Sequence, residues 1–278
     1  MIKVIEPGLY SNIQDHGRFG YRNIGVPYSG FMDQESARTA NKIVGNDENE
    51  SLIEITLMGP TLLFNADYIL SITGADFSSL INNDKVDMYK PIHVKLGDTL
   101  KINHSKYGAR CYLAISGGID VKSILGSKSS FKGITTSYFL KKGDEIKVIK
   151  NNKSNFNFEF KSVFKIDSVL NVFKGPEFNN LKKDSVAMLL NKKFTIGVNN
   201  RMGYNLNEKL QIGTKSIISS PVLPGTTQLT PSGNIIVLHR DCQTSGGYNR
   251  ILQLDEKSLN DLSQLKAGQI IRFKLINK

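Results

Sequence analysis

The sequence predicts a mainly β protein made of two related halves, with a few short helices. Three observations point there. From Ser51 to Lys150 the apolar residues fall in short runs separated by Gly, Pro, Asn or Asp, the spacing of a β-sandwich or barrel. Short phrases recur along the chain, as in a duplicated unit. Helical periodicity is confined to three windows.

Met1 to Glu6 alternates and stops at Pro7-Gly8, a strand and a turn. Gln14-Asp15-His16-Gly17-Arg18-Phe19-Gly20-Tyr21 and Gly25-Val26-Pro27-Tyr28-Ser29-Gly30 are loops rich in donors, acceptors and glycine. Asp33 is the N-cap expected of a first helix, with Ser36 in place of the Glu that would complete a capping box. Ala37, Ala40, Ile43 and Val44 share a face of that helix, and Gly45-Asn46 closes it. Its N-terminus beside Ser29 and Gly30 is an expected anion-binding corner. Strands are expected over Leu52–Leu57, Thr61–Phe64, Tyr68–Thr73, Phe77–Ile81, His93–Val94, Thr99–Asn103 and Arg110–Ser116. Gly126-Ser127-Lys128-Ser129-Ser130 is a polar loop without the full phosphate-loop pattern.

Residues 151–165, rich in Asn, Lys and Ser, lie between the halves, and the alternation of Phe156, Phe158 and Phe160 predicts a strand within them. The halves are taken as 1–158 and 159–278. Val169–Phe173 reads as a strand, Phe178–Asn191 as a second helix and Asp255–Leu265 as a third. Leu96-Gly97-Asp98, Lys142-Gly143-Asp144 and Ala267-Gly268-Gln269 each precede a closing strand. Arg18-Phe19-Gly20-Tyr21 is echoed by Arg201-Met202-Gly203-Tyr204, and Gly59-Pro60 by Gly175-Pro176. In the stretch from Ser216 to Arg250, turn residues flank the apolar strand Ile235–Leu238, and a polar cluster from His239 to Ser245 follows it at once.

Composition narrows the function classes. Hydrophobic content of 40% and charged content of 22% fit a globular chain. No apolar run reaches the roughly 18 residues of a membrane span, and the N-terminus carries no secretory pattern. Cys111 and Cys242 offer neither a disulfide framework nor metal spacing, so a reduced cytoplasm is expected. The net charge of +11 comes mostly from scattered lysines, with no arginine-rich stripe or recognition helix, which argues against nucleic acid. The arginines say more. Arg18, Arg22, Arg201, Arg240 and Arg250 lie in glycine-rich or polar clusters, where a guanidinium fork clamps carboxylate or carbonyl oxygens, or pairs with Asp15 or Asp241 to hold a loop. His16 and His239 are candidate general bases or loop histidines with backbone partners; Cys242 is a nucleophile or a packed small residue.

Gln14-Asp15-His16-Gly17-Arg18, Gly25 to Asp33, Gly117-Gly118-Ile119-Asp120, Asn200 to Tyr204, Pro221 to Gln228 and Asp241 to Tyr248 together resemble the biotin-dependent carboxyltransferase family, in order over nearly the whole chain. That family includes the C-type subunit of bacterial 5-oxoprolinase, allophanate hydrolase subunit 2 homologues, the antagonist of the sporulation kinase inhibitor, and the carboxyltransferase part of urea carboxylase. The resemblance implies two cyclophilin-like β-barrel subdomains facing a shared groove, and a B-type partner subunit. The chain has no Met-Lys-Met carrier motif, so biotin would arrive on another protein, and no carboxylase-type ATP site is visible.

The substrates implied share an amide-type C=O beside N–H. Donors that stabilise negative charge on the oxygen, and oxygens that accept from the nitrogen, are the groups such chemistry needs. Arg18 and Arg201 are therefore expected to hold oxyanion or carboxylate groups, with Asp15 and Asp241 orienting them or accepting a proton. Gln14, Ser29, Asp33, Tyr204, Gln228, Gln243, Thr244, Gly247 and Tyr248 are expected to contact substrate, with no metal. The function implied is that of the C-type subunit of an ATP-dependent 5-oxoprolinase, working with A-type and B-type subunits, ATP being bound with those partners. Carboxyl transfer from carrier-borne biotin to a urea-like nitrogen, or regulatory binding of a kinase inhibitor, are the alternatives.

Overall fold

Residues 1–149, 164–210 and 216–276 are described by the computed structural model. The strand expected near Phe158 and the boundary expected at 158/159 lie outside the described residues. The chain divides into two units, Met1–Arg18 with Ser29–Lys165, and Phe19–Tyr28 with Ile166–Lys278. A ten-residue piece of the N-terminal loops therefore belongs with the C-terminal unit.

In unit 1 the strands are β1 (Ile2–Glu6), β2 (Tyr10–Gln14), β3 (Leu52–Thr56), β4 (Thr61–Phe64), β5 (Tyr68–Asp76) and β6 (Leu80–Ile81). They are followed by β7 (Asp84–Lys85), β8 (Ile92–Val94), β9 (Thr99–Lys101), β10 (Tyr107–Ile115) and β11 (Glu145–Ile146). They form a six-stranded sheet, β11-β1-β4-β9-β6-β7, and a five-stranded one, β2-β3-β10-β5-β8. Ile2, Val4, Leu62 and Phe64 from the first share a core with Ile53, Ile55, Ile72 and Leu113 from the second. Each such side chain contributes about 1.5–3 kcal/mol on burial. The unit is thus two sheets around one core rather than a single closed ladder.

Helix α1 (Gln34–Ile43) begins where the capping pattern places it, with Asp33 Oδ1 accepting from Ser36 N at 3.1 Å. Its small residues Ala37 and Ala40 let it lie against Leu52, Tyr112 and Ala114. Strand hydroxyls tie it down, Ser71 to Ala40 O at 2.6 Å and Thr73 to Ser36 O at 2.7 Å. The strand expected at Phe77–Ile81 keeps only Leu80–Ile81, because Asp76 Oδ1 accepts from Ser78 N in an Asx turn that breaks the run.

Unit 2 contains β12 (Val169–Lys174), α2 (Lys183–Asn191), β13 (Phe194–Asn199), β14 (Gly203–Lys209), β15 (Ser220–Pro221) and β16 (Thr226–Leu229). Then come β17 (Asn234–Leu238), β18 (Ser245–Gly246), β19 (Asn249–Leu254), α3 (Glu256–Gln264) and β20 (Ile270–Leu275). Seven strands close a barrel in the order β12-β19-β16-β17-β14-β13-β20, and β15 pairs with β18 outside it. The second helix is shorter than expected: Phe178–Asn180 is a separate 3-10 turn, and Lys182 in extended conformation starts α2 afresh. Asp255 caps α3 through Ser258 N at 2.7 Å. No described helix is long and apolar enough to cross a membrane.

The recurring Gly-Asp and Gly-Gln phrases are one turn used three times. Gly97, Gly143 and Gly268 all have positive φ, and the next side chain accepts from the N–H three residues back. Asp98, Asp144 and Gln269 do so from Lys95, Lys141 and Lys266 at 2.7, 2.8 and 2.6 Å. A Cβ at Gly97, Gly143 or Gly268 would touch nothing, so backbone conformation alone asks for glycine there.

A buried-edge ion pair adds a pH-dependent contribution in unit 2. Arg250 Nε and Nη2 donate to both Glu177 oxygens at 2.9 and 2.8 Å. The side-chain hydrogen bond from Arg250 holds the Glu177 carboxyl below its ordinary value. This stability is complete above the unfolded glutamate pKa and is lost as pH falls through the lowered folded value. Glu177→Gln is therefore expected to flatten the acid limb of stability against pH, read by urea midpoints across the acid range; an unchanged limb would discard the assignment.

Candidate functional site

The polar loop residues of unit 1 form a knot. Asp15 Oδ1 accepts from Gly17 N, Ser127 Oγ and Ser129 Oγ at 2.9, 2.7 and 2.5 Å. Its Oδ2 accepts from Lys128 N at 2.6 Å. Arg18 is fully buried, and its guanidinium donates to Ile124 O at 3.0 Å and Ser129 O at 2.8 Å. Gln14 bridges the second loop to the third, accepting from Gly30 N and donating to Ser130 O, each at 3.1 Å. Lys128 Nζ meets Glu50 Oε1 at 2.7 Å. Asp15, Arg18 and Gln14 thus spend these bonds on holding 124–130 against 14–18 and 29–31. Ser29 is placed differently: it is buried at φ 56°, and its hydroxyl has no hydrogen-bond partner among the described residues.

The expected anion-binding corner at the start of α1 is filled from within. Asp33 carboxylate takes Ser36 N and Ser36 Oγ, while Met32 N donates to Glu54 Oε2 and Asp33 N to Tyr112 Oη. The helix N-terminus already carries an anion, so Asp33 acts as a cap.

In unit 2, Arg201 and Asp241 face each other as a buried fork. Nε donates to Oδ2 at 2.8 Å and Nη2 to Oδ1 at 3.1 Å. Arg201 precedes β14 and Asp241 follows β17, strands that pair, and Asp241 N also donates to Arg201 O at 2.9 Å. Tyr204, expected to contact substrate, is a fully buried barrel residue beside the His239 ring. His239 is fully buried; Nδ1 accepts from Arg240 N at 3.0 Å, and Nε2 meets Leu259 O at 3.0 Å. It is the histidine with backbone partners. Cys242 is buried, and desolvation pushes its thiol up to about 11, against a smaller pull from Arg22. That suits a packed residue, not a nucleophile.

Gln228 and Gln243 do converge. Gln243 Nε2 donates to Gln228 Oε1 at 3.4 Å, and Gln228 is buried with its Nε2 unpartnered among the described residues. Gly246 leaves room for this pair, since a Cβ there would lie 2.6 Å from Gln228 Nε2. Thr244 lends its carbonyl to Val222 N at 3.2 Å, Gly247 O accepts from Ile217 N at 3.0 Å, and Tyr248 is exposed beside them in sequence. Arg22, one of the arginines expected to clamp carboxylate or carbonyl oxygens, joins this cluster. Its Nη2 contacts the carbonyls of Val222, Gln243 and Thr244, and its guanidinium lies 4.7 Å from the Tyr28 ring centroid. Its position among glycines was the available signal. Ser127 and Ser129 had none, because their partner Asp15 lies over a hundred residues away.

Residues 24–275 match the family described as carboxyltransferase domain, subdomain A and B. The chain is 32% identical to the C-type subunit of 5-oxoprolinase from Escherichia coli over 98% of this chain and 90% of that protein. Over 100% of this chain and 92% of the relative it is 29% identical to the same subunit of 5-oxoprolinase from Haemophilus influenzae. A stretch of 163 residues is 42% identical to urea amidolyase of Saccharomyces cerevisiae, covering 57% of this chain and 9% of that protein. The structure superposes on the Kluyveromyces lactis urea amidolyase with a TM-score of 0.91 at 29% identity, over 99% of this chain and 19% of the amidolyase. A family match over most of the chain, agreeing with full-length relatives and with the fold, means that this protein belongs to the carboxyltransferase-domain family of subdomains A and B.

Proposed function

We propose that the chain serves as the C-type subunit of an ATP-dependent 5-oxoprolinase, active in complex with its A-type and B-type partners, that opens 5-oxoproline to glutamate. What carries this reading is the end-to-end likeness to a protein named as that subunit, over 98% of this chain and 90% of the relative. The geometry supports it. The Gln228 and Gln243 carboxamides offer both donors and acceptors, which suits the N–H and C=O of a cyclic amide. Thr244, Gly247 and Tyr248 would flank them. Arg201 and Asp241 hold the neighbouring turn. ATP is assigned to the partner subunits. The donors of 127–130 are used inside the chain, Lys128 N on Asp15, Ser129 N on Ser127 and Ser130 N on Ile13 O, which leaves no phosphate cradle there.

The test is ATP-dependent glutamate release by the co-purified complex. Gln228→Leu is expected to reduce it roughly 10- to 100-fold while the complex still assembles. An assembled complex that releases no glutamate from 5-oxoproline would refute the reading. The 42% identity to a urea amidolyase segment favours a second one, carboxyl transfer to a urea-like nitrogen from biotin carried on another protein. Biotin-dependent incorporation of bicarbonate would support it instead.

A further inference from the structure

We propose that Arg22 selects an anionic substrate, receiving the carboxylate of 5-oxoproline while Gln228 and Gln243 read its ring amide; the inference rests on the 5-oxoproline reading above. The Arg22 guanidinium is held by main-chain oxygens and by the Tyr28 ring, with the Cys242 thiol beside it. Nη2 is spent on main-chain oxygens of Val222, Gln243 and Thr244, and the plane is backed by Tyr28. Nη1 is buried and has no oxygen acceptor among the described residues, a thiol being a weak one. A buried cationic N–H without an acceptor is costly, and a ligand oxygen removes the cost. Gln228 Nε2, in the residue whose Oε1 accepts from Gln243, is a second buried donor without a partner among the described residues. The two lie on one connected cluster, Arg22 bonding the Gln243 carbonyl and Gln228 its carboxamide. Two separated donors suit a molecule with two separated oxygen groups. 5-Oxoproline has them, a lactam carbonyl and a carboxylate; urea has one carbonyl and no charge. The neighbouring arginines in the sequence cluster already carry carboxylates, Arg240 that of Glu256. Arg250 is committed to Glu177 and Arg201 to Asp241. Gln243 and Tyr248 are exposed, so the cluster is reached from their side.

The reconstituted complex tests this with two probes, 5-oxoproline as substrate and 2-pyrrolidinone, the same ring without the carboxylate, as competing ligand. Arg22→Gln is expected to raise KM for 5-oxoproline roughly 10- to 100-fold, the loss of one charge-assisted hydrogen bond. Inhibition by 2-pyrrolidinone should stay within about twofold. Arg22→Lys keeps the charge without the fork and serves if the first variant fails to assemble; it too must weaken 5-oxoproline alone. A purely structural role would shift both probes together, and that result, or no shift in KM, overturns the inference while leaving the functional reading intact. A wild-type complex that releases no glutamate overturns both.

Discussion

Asp15→Ala is expected to cost about 3–5 kcal/mol of stability, because it strands several buried donors at once. The carboxylate accepts from Gly17 N, Lys128 N and the hydroxyls of Ser127 and Ser129. Removing it leaves two main-chain N–H groups without an acceptor in a buried place, and water cannot easily replace a carboxylate there. Asp15→Asn separates charge from shape. It keeps an acceptor for the Oδ1 cluster but turns an NH2 toward Lys128 N, so about half the loss is expected. Urea denaturation measures the cost, and hydrogen exchange at the amides of Lys128 and Ser129 locates it. A loss under about 1 kcal/mol for Asp15→Ala, or exchange unchanged in that loop, would show that the knot is not what holds 124–130.

The second large effect is expected at the Arg201–Asp241 fork. Either single truncation leaves a buried charge alone, and the expected cost is about 3–5 kcal/mol. Replacing both, as Arg201→Met with Asp241→Leu, removes the charges together and should cost much less than the sum of the two singles. The reason lies in the fold. The pair closes the end of the β14–β17 ladder, where Asp241 N to Arg201 O and His239 N to Met202 O, both 2.9 Å, already join the two turns. Loss of glutamate release in the double variant, with its stability retained, would add a part in substrate handling to this structural one. Additive losses in the three proteins would refute the coupling.

Several elements were legible because their cause is local. Asp33 and Asp255 cap helices through an N–H three residues on, so the spacing in the chain is the spacing of the bond. The three Gly-Asp and Gly-Gln turns recur as words because each is made by four successive residues. The pairing of Arg201 with Asp241 was open in the sequence as one use of those arginines, and the structure took it. Asp76 shortened an expected strand by another local bond, but one that competed with an apolar pattern and won.

By itself the sequence determined the β-rich class, its turns and caps, and the family, since these depend on patterns within a few residues or on the order of motifs along the chain. Only the tertiary structure decided what the polar clusters do. Hydrogen bonds that join Asp15 to Ser129, Arg22 to Thr244 or Gln228 to Gln243 span separations set by how strands pair, and no local spacing encodes them. Folding also decided which polar groups lie where water cannot serve them; burial turned Asp33, Tyr204 and His239 into parts of the frame and left Gln228 and Arg22 with a buried donor to offer.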